Sequence, residues 1–459
     1  MRRRAAEFRR IAAFVFCLLS LFPAARLAAA ENVIVFFVNG ANQAALDLAR
    51  TAGADFAGFS NTAALPVRGT LLPLAREFDR PFLAAVNAVA AGKAADDSVG
   101  TLSSGEELDS LATLAKLRGM RVGVVSDTQL TGQLPGAFYA HEPKIAQPDA
   151  LSGWLPICDF NVLAGEVAVP EEERAAGDRL GDTMTRLGYR NLAEAKALDR
   201  PVERLFLRYA DSPGRPYAMS RKGRAGRERL VDSVGVALRC LENPNGFFLL
   251  VECGGIGRAG EENDSSMLLG ELWMFDRALG EALRFLKEHP ENTLIVVVSL
   301  FDAGELQLTG SADTDFPVVP SRLELLAELN AKPRTFEKAL ELLGAGTLFA
   351  PGARELQPFR QLYFEAPRLT DAETIATLRD YRNFEPDAVL RDYRPWIARI
   401  EEIRDRHYGA AFLSTRALPG LTPVLAIGSG AADFAGEYTP QMLHAKLRKA
   451  LGLPPPPAR

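Results

Sequence analysis

Histidine and cysteine, the two residue types that most often hold zinc, are scarce in this sequence. It has four of each in 459 residues. A catalytic two-zinc site usually draws several histidines from loops at strand ends. The histidines here lie in helical or loop patterns away from such ends, and we expect packing or surface roles for all four: His141, His289, His407 and His444. No cysteine pair has the CxxC spacing, and none lies at structural-zinc spacing from a histidine. The composition therefore favours a protein without zinc.

Several catalytic and membrane signatures are also missing. The sequence has no G-x-S-x-G elbow, no Walker loop and no HExxH helix, which argues against the α/β-hydrolases, P-loop nucleoside triphosphatases and metalloproteases that depend on them. After residue 30, no apolar run approaches the roughly 20 residues that a membrane-spanning helix needs. We therefore expect no transmembrane segment beyond the first 30 residues.

The first 30 residues have the pattern of a secretory signal peptide. A basic head with five arginines precedes a short apolar run, and Ala28-Ala29-Ala30 supplies an A-x-A cleavage site before Glu31. Cleavage there removes six arginines and one glutamate, which leaves 47 basic and 57 acidic residues. This acidic balance argues against nucleic acid as a partner. We expect an exported protein, periplasmic or extracellular.

Short apolar runs rich in β-branched residues alternate with helical patterns along the chain. The runs are nearly continuous rather than alternating, which is typical of strands buried on both faces of a parallel sheet. Helical periodicity between them predicts a three-layer α/β/α, doubly wound, mostly parallel sheet. The predicted strands are residues 33–38, 122–125, 160–163, 247–251, 294–299 and 424–427.

One long stretch departs from this alternation. Residues 312–408 have mainly helical spacing and many charges, which predicts a helical insertion that caps the sheet. The α/β domain would then comprise residues 31–311 and 409–453, and a proline-rich tail would occupy residues 454–459. The basic residues Arg221 to Arg229 are interpreted as a solvated loop.

Residues 246–264, GFFLLVECGGIGRAGEEND, carry most of the functional information. An apolar strand delivers Glu252 to its carboxyl end, where open α/β sheets bind their ligands. A glycine-rich turn and then a helix are expected to follow. The turn contains a formal GxGxxG from Gly255 to Gly260, which leaves dinucleotide binding open as a third alternative that needs a free groove over those glycines.

The same segment resembles the signature of alkaline phosphatases, roughly VEGGRIDHAGHAND. Further blocks in the same order resemble that family, and they cover most of residues 31–310 and 410–453. They are residues 33–40, 120–126, 131–141, 159–165, 275–290 and 423–436. The resemblance implies the alkaline phosphatase-like α/β fold. It also implies a site in which two divalent metal ions clamp the reacting oxygens of a phosphate ester, a serine attacks and an arginine holds the phosphate.

Matched position by position, most of that machinery is replaced. The nucleophilic serine falls near Phe82, inside an apolar helix, and the arginine falls at Ile145. Only one metal-ligand position, Glu252, keeps its residue. The other ligand positions fall at Asn39, Leu134, Gly257, Glu261, Phe301 and Ala417. Aromatic rings at positions 82 and 301 would fill the cavity and lower its polarity, which disfavours bound ions.

A residual cation site remains as an alternative. Glu252, Glu261 and Asp302 would converge at one edge of the proposed sheet, and hard cations such as Mg²⁺ or Ca²⁺ accept all-oxygen ligands. The other interpretation is that these carboxylates are solvated at a loop rim. No other cofactor is expected.

The sequence thus favours an exported alkaline phosphatase-like protein that has lost catalysis and acts by binding or scaffolding. A protein, a glycan or a small anion could be its partner, and a homodimer stays open. The competing hypothesis is a divergent metal-dependent hydrolase of phosphate or sulfate esters with a rebuilt carboxylate site around Glu252.

Overall fold

The computed structural model describes most of the α/β part of the chain. The described residues are 30–51, 59–74, 78–102, 104–144, 148–168, 177–209, 217–218, 221, 226, 228–308, 402, 405 and 409–455. The predicted signal peptide lies outside them except for Ala30, as does the predicted cap at 312–408 except for two residues. Pro454 and Pro455 have no regular structure. The domain boundaries therefore stay predictions.

A ten-stranded sheet forms the centre of the protein. Its strand order is β14-β2-β13-β8-β1-β7-β3-β4-β6-β5, and every pairing is parallel except those of β13 with β8 and with β2. The strands are β1 Asn32–Phe37, β2 Val67–Leu71, β3 Arg121–Gln129, β4 Val162–Glu166, β5 Arg190–Leu192, β6 Leu205–Tyr209, β7 Phe247–Glu252, β8 Thr293–Val298, β13 Thr422–Gly428 and β14 Gly436–Tyr438. Two small antiparallel pairs lie beside the sheet: β9 Asp302–Ala303 with β12 Ala417–Leu418, and β10 Leu306–Leu308 with β11 Ala410–Phe412. All six predicted strands are present.

Helices cover both faces of this sheet. They are α1 Gln43–Thr51, α2 Ser60–Ala63, α3 Pro81–Ala91, α4 Leu111–Leu117, α5 Gln133–Tyr139, α6 Pro148–Ser152, α7 Arg179–Arg186, α8 Arg229–Leu241, α9 Gly254–Glu261, α10 Ser265–Glu288 and α11 Pro440–Ala450. The predicted α/β class is confirmed. Within the described ranges, none of these helices has the length and hydropathy that crossing a bilayer requires.

The side chains of β1 alternate between the two faces of the sheet, and each face has its own core cluster. Ile34 and Phe36 pack in one cluster with residues of α1, α8 and α10. Val33 and Val35 pack in the other cluster with residues of α3, α4, α5 and α11. This two-sided burial explains why the strand sequences are continuously apolar.

Helix α4 begins later than its sequence suggests. Ser104 and Glu107 form a Ser-x-x-Glu pattern, which is typical of a capping box, but the helix begins at Leu111. Its N-cap is Ser110, whose side chain accepts a hydrogen bond of 3.0 Å from the backbone N–H of Thr113. Ser110 Oγ also donates a 2.6 Å hydrogen bond to the Phe138 carbonyl, so the cap joins α4 to α5.

Replacing Ser110 with alanine is therefore expected to lower the free energy of unfolding by about 1 to 2 kcal/mol, since both a cap and a buried hydrogen bond are lost. Ser104→Ala is the matched control and should change it by less than about 0.5 kcal/mol. Chemical denaturation of both variants measures the difference. Equal losses would contradict the assignment of the cap to Ser110.

The cysteines and histidines of the described part have packing roles. Cys240 and Cys253 are buried, Cys158 is half-buried, and all three are free thiols. His444 is buried with Nδ1 3.0 Å from the Val89 carbonyl oxygen, and His289 stacks on Phe285. His407 lies outside the described residues.

Candidate functional site

The carboxyl ends of four neighbouring parallel strands meet at one edge of the sheet. Register pairs Phe37 of β1 with Glu252 of β7 and with Val298 of β8, and Ser126 of β3 also pairs with Glu252. The residues that follow these strands must therefore lie close together. This edge is where a doubly wound sheet binds its ligands.

The side chain of Asn39, just after β1, binds the backbone of the loop that follows β8. Its side chain is buried, and its Oδ1 accepts a 2.9 Å hydrogen bond from the Leu300 backbone N–H. Gly40 N–H donates to the Phe301 carbonyl at 3.0 Å, and its own carbonyl accepts from Ala303 N–H at 3.2 Å. Asn39, at the position where the family has an aspartate, and Gly40 thus join the loops after β1 and β8 by hydrogen bonds.

Two phenylalanine rings lie beside these hydrogen-bonded loops. Phe82, at the start of α3, is half-buried, and Phe301 is 8% exposed. The ring centroids are 4.7 Å apart with an interplanar angle of 75°, an edge-to-face contact. A Cβ built on Gly257 would lie 3.2 Å from Phe301 Cζ, so the ring also covers Gly257. The structure brings together the predicted nucleophile position and two predicted metal-ligand positions.

Two further replaced positions, 134 and 417, carry apolar residues. Leu134 of α5 is buried in the same core cluster as Phe301, and Ala417 packs against that cluster while pairing with Ala303 across β12 and β9. Ile145 lies outside the described residues. Neither Leu134 nor Ala417 offers a side-chain atom that could bind a metal ion.

Glu252 has an unusual environment. It is 8% exposed, and its Oε2 accepts a 2.6 Å hydrogen bond from Ser126 Oγ. Burial raises the pKa of the Glu252 carboxyl to about 8, with a further rise from nearby Asp127 and an opposing effect of the Ser126 hydrogen bond. The group is therefore largely protonated at neutral pH in the folded protein.

Asp302 and Glu261 have separate local partners. Asp302 Oδ2 accepts a 2.9 Å hydrogen bond from Asn42 Nδ2, whereas its buried Oδ1 has no hydrogen-bond partner among the described residues. Burial raises the pKa of Asp302. Glu261 lies at the exposed end of α9; partial burial raises its pKa, and a hydrogen bond from the Ala417 backbone opposes the shift.

These residues do not fit the metal set of a two-metal phosphatase. An amide bound to a backbone N–H, a glycine, a phenylalanine and an alanine stand where ionic ligands would be needed. In the part of the chain that the structure describes, no group of three or more His, Cys, Asp or Glu side chains could hold a metal ion, and Glu252, Glu261 and Asp302 form no such group. Binding of Mg²⁺ or Ca²⁺ at Glu252 stays a prediction.

The glycine-rich segment differs from the expected turn, because residues 254–261 form helix α9. Its glycines permit close packing on three sides. Added Cβ atoms would lie 2.6 Å from Glu271 Oε2 at Gly255, 3.0 Å from the Asn39 carbonyl oxygen at Gly257 and 2.6 Å from the Ala303 carbonyl oxygen at Gly260. The groove that a dinucleotide would need over these glycines is filled by protein, and the GxGxxG pattern is explained by packing.

A buried charge cluster behind α9 was not predicted from the sequence. Asp127 Oδ1 accepts a 2.7 Å hydrogen bond from Gly254 N–H at the start of α9, and Arg221 Nη2 donates 3.1 Å to the Asp127 carbonyl. Burial raises the pKa of Asp127 to about 6, against the opposing charge of Arg221. Burial likewise raises the pKa of Glu271 to about 8, with a further rise from Asp127.

The interpretation of the basic segment as a solvated loop is wrong for its two ends. Arg221 is 6% exposed. Arg229 pairs with Glu166 at 2.9 Å and lies over the Tyr209 ring. Buried carboxylates are not visible as acidic runs in a sequence, so only the structure shows what these arginines neutralise.

Comparisons with known proteins agree on one family. The family model described as Alkaline phosphatase matches residues 169–313. The chain is 32% identical over 239 residues to the tissue-nonspecific alkaline phosphatase isozyme of Gallus gallus, covering 43% of this chain and 46% of that protein. It is 27% identical over 325 residues to alkaline phosphatase H of Pseudomonas aeruginosa, covering 58% and 68%. The chain spans about half the length of the first two curated relatives, 46% and 55%.

Solved structures show the same fold over nearly the whole chain. The cold-active alkaline phosphatase of Shewanella sp. superposes with a TM-score of 0.68 at 20% identity, covering 92% of this chain and 99% of that one. The Thermus thermophilus alkaline phosphatase gives 0.66 at 21% identity, with 93% and 92% covered. At these identities the likeness establishes the fold, and the replaced side chains bear on the activity.

Proposed function

Because the chain belongs to the alkaline phosphatase-like family, we propose that it is an exported pseudophosphatase that acts by binding or scaffolding. The observation that carries the proposal is the edge-to-face contact of Phe82 and Phe301, with centroids 4.7 Å apart, at the nucleophile and metal-ligand positions. Catalysis by this family needs charged metal ions at that place, and an apolar filling makes their desolvation costly.

A second observation supports the same proposal. Asn39 is a neutral amide whose side-chain oxygen accepts the Leu300 N–H, so it adds no negative charge to a metal site, and turning it towards an ion would break a buried hydrogen bond. A buried N–H left without its partner costs about 1 to 3 kcal/mol. The loop after β8 is thus held by the residue that would otherwise serve the reaction.

The partner of such a protein stays open among a protein, a glycan and a small anion. The acidic balance of 58 Asp and Glu against 53 Lys and Arg disfavours nucleic acid. The signal-peptide pattern of residues 1–30 supports the proposed export. A homodimer also stays a prediction.

The alternative function is a divergent phosphate or sulfate ester hydrolase with a rebuilt cation site. The observation that favours it is Glu252, a buried carboxyl whose pKa is raised to about 8. A divalent cation there would favour the ionised carboxylate, with the Ser126 hydroxyl as a neighbouring oxygen ligand. The cation would supply Lewis-acid stabilisation of charge. Ser126 is only 1% exposed, so its hydroxyl has no open path to a substrate in the described part of the structure.

Ester hydrolysis by the purified protein separates these two functions. The assay uses p-nitrophenyl phosphate and p-nitrophenyl sulfate between about pH 6 and 10, with Zn²⁺, Mg²⁺ or Ca²⁺ supplied. The matched variant is Glu252→Ala. We expect no turnover above that of the variant under any condition. Turnover that disappears in Glu252→Ala would sink the pseudophosphatase proposal and support the rebuilt site.

A further inference from the structure

A cavity of about 540 Å³ lies on the outer side of helix α10. Its wall combines the end of α2, one side of α8, the C-terminal half of α10 and Ile427 of β13. Ligand pockets for small molecules typically measure about 300 to 1,000 Å³. The cavity is therefore large enough for a small organic molecule.

The floor of this cavity is apolar and accessible. Leu283 and Ile427 are only partly buried and pack against the core cluster on that face, beside Val231. Gly280 packs closely against Asn61 at the wall, since a Cβ there would lie 3.0 Å from Asn61 Nδ2. An apolar ring or short chain could cover Leu283 and Ile427 and remove their surface from water.

The rim of the cavity is positively charged although the chain has a net charge of −5. Arg277, Arg284 and Lys287 line it with a single carboxylate, Glu281. Arg284 pairs with Glu281, and Arg277 is held by Glu228 at 2.7 Å. Lys287 is exposed and has no ion-pair partner among the described residues. One cation at the rim thus remains available to a ligand.

We propose that this cavity binds a small amphipathic anion, with the apolar body of the ligand over Leu283 and Ile427 and its anionic group at Lys287. An apolar floor with a few convergent charged groups is the usual composition of a small-molecule site. A carboxylate, sulfonate or phosphate group would satisfy Lys287 equally, since the ammonium acts as a point charge.

The cavity is separate from the former catalytic site. Val231 and Leu286 belong to the core cluster on one face of the sheet, whereas Phe301 belongs to the cluster on the other face. Ile427 pairs with Ile295, near the start of β8, so this end of the cavity lies away from the carboxyl ends of the parallel strands. The proposal therefore stands whether or not residual hydrolysis occurs.

Fluorescence titration of the purified protein with 8-anilinonaphthalene-1-sulfonate tests this site. We expect saturable binding at one site per chain and competition by 1-naphthoate but not by acetate. Lys287→Glu should weaken binding about tenfold, which corresponds to about 1.4 kcal/mol. Ala64→Phe, which adds a ring at the exposed rim of the cavity, should weaken it at least as much. Lys449→Glu on α11, on the other face of the sheet, is the matched charge control.

Three outcomes would overturn the proposal. They are affinity unchanged in both Lys287→Glu and Ala64→Phe, equal weakening in Lys449→Glu, and competition by acetate as strong as by 1-naphthoate. Urea unfolding of each variant ensures that altered dye binding does not come from partial unfolding, because this dye also binds loosened proteins. Ala64 and Lys287 are exposed, so we expect both variants to fold with unchanged stability.

Discussion

Replacing Phe301 with alanine is expected to lower the free energy of unfolding by about 3 kcal/mol without creating hydrolytic activity. The ring is 8% exposed and contacts both Phe82 and the bare backbone of Gly257. Its removal leaves a cavity lined by apolar groups, which stays unfavourable for ions. Denaturation with urea measures the loss, and ester hydrolysis with added Zn²⁺ and Mg²⁺ measures the activity.

Phe82→Ala provides the matched comparison, because that ring is only half-buried. We expect it to cost about 1 to 2 kcal/mol. The double variant should show a coupling energy of about 1 kcal/mol, the usual magnitude for an edge-to-face pair. Additive losses, or an increase in stability on removing either ring, would contradict the role of the two rings as a packed filling of the former site.

The apolar strands made the centre of this fold predictable. Burial on both faces leaves little choice of residue, so β1, β7 and β8 are continuous apolar runs. Strands at or near the edge of the sheet have shorter or interrupted apolar runs. β2 has the sequence VRGTL and β6 has LFLRY, and neither was predicted because arginine or glycine interrupts the apolar run.

Helix α9 shows a different limit of sequence reasoning. Glycines at positions 254, 255, 257 and 260 indicate a turn by propensity, since glycine costs about 1 kcal/mol in a helix interior. Tertiary packing outweighs that cost here, because a Cβ would lie 2.6 Å from an oxygen of Glu271 or Ala303 and 3.0 Å from the Asn39 carbonyl oxygen, and glycine avoids these contacts. Such close approaches depend on the whole fold and leave no local pattern.

The candidate site was predictable in its position but not in its electrostatics. Sequence matching placed Asn39, Phe82, Gly257 and Phe301 in one former site, and the structure places them in contact or in adjacent loops. The environment of Glu252 could not be predicted, because it depends on burial in the folded protein and on Asp127 from another strand. A pKa near 8 for a glutamate arises only from that three-dimensional setting.

This setting makes the stability of the protein depend on pH with a definite sign. The Glu252 pKa is raised from 4.5 to about 8, so the folded state holds a proton that the unfolded chain releases above about pH 4.5. Below pH 4.5 the carboxyl is protonated in both the folded and the unfolded state, so the stability of the fold is at its full value with respect to this group. As the pH rises from 4.5 towards 8, stability falls, because only the unfolded chain can release the proton freely. Above pH 8 the folded protein carries a buried, ionised carboxylate.

Glu252→Gln should remove the part of this dependence that Glu252 causes, while Asp127 and Glu271, whose pKa values are also raised by burial, keep their own. The amide keeps an oxygen to accept the 2.6 Å hydrogen bond from Ser126 but carries no charge at any pH. Above pH 8 we expect the variant to be more stable than the parent by about 2 to 4 kcal/mol. The full shift in the Glu252 pKa corresponds to an upper limit of about 5 kcal/mol for this difference in stability. Local relaxation and water entry lower the actual difference. Near pH 4.5 the two proteins should be equally stable within about 1 kcal/mol, because both are then neutral at this position.

Urea unfolding from about pH 4.5 to 9 in EDTA measures the free-energy cost of the buried charge, and its repetition with Mg²⁺ or Ca²⁺ tests the competing hypothesis of a bound cation. Glu437→Gln on β14, which removes a solvent-exposed carboxylate, is the matched control and should leave the curve unchanged. A variant less stable than the parent at pH 9 in EDTA would contradict the buried-carboxyl account. A parent that gains stability from Mg²⁺ or Ca²⁺ only while Glu252 is present would show that this carboxyl binds a cation, as the alternative function requires.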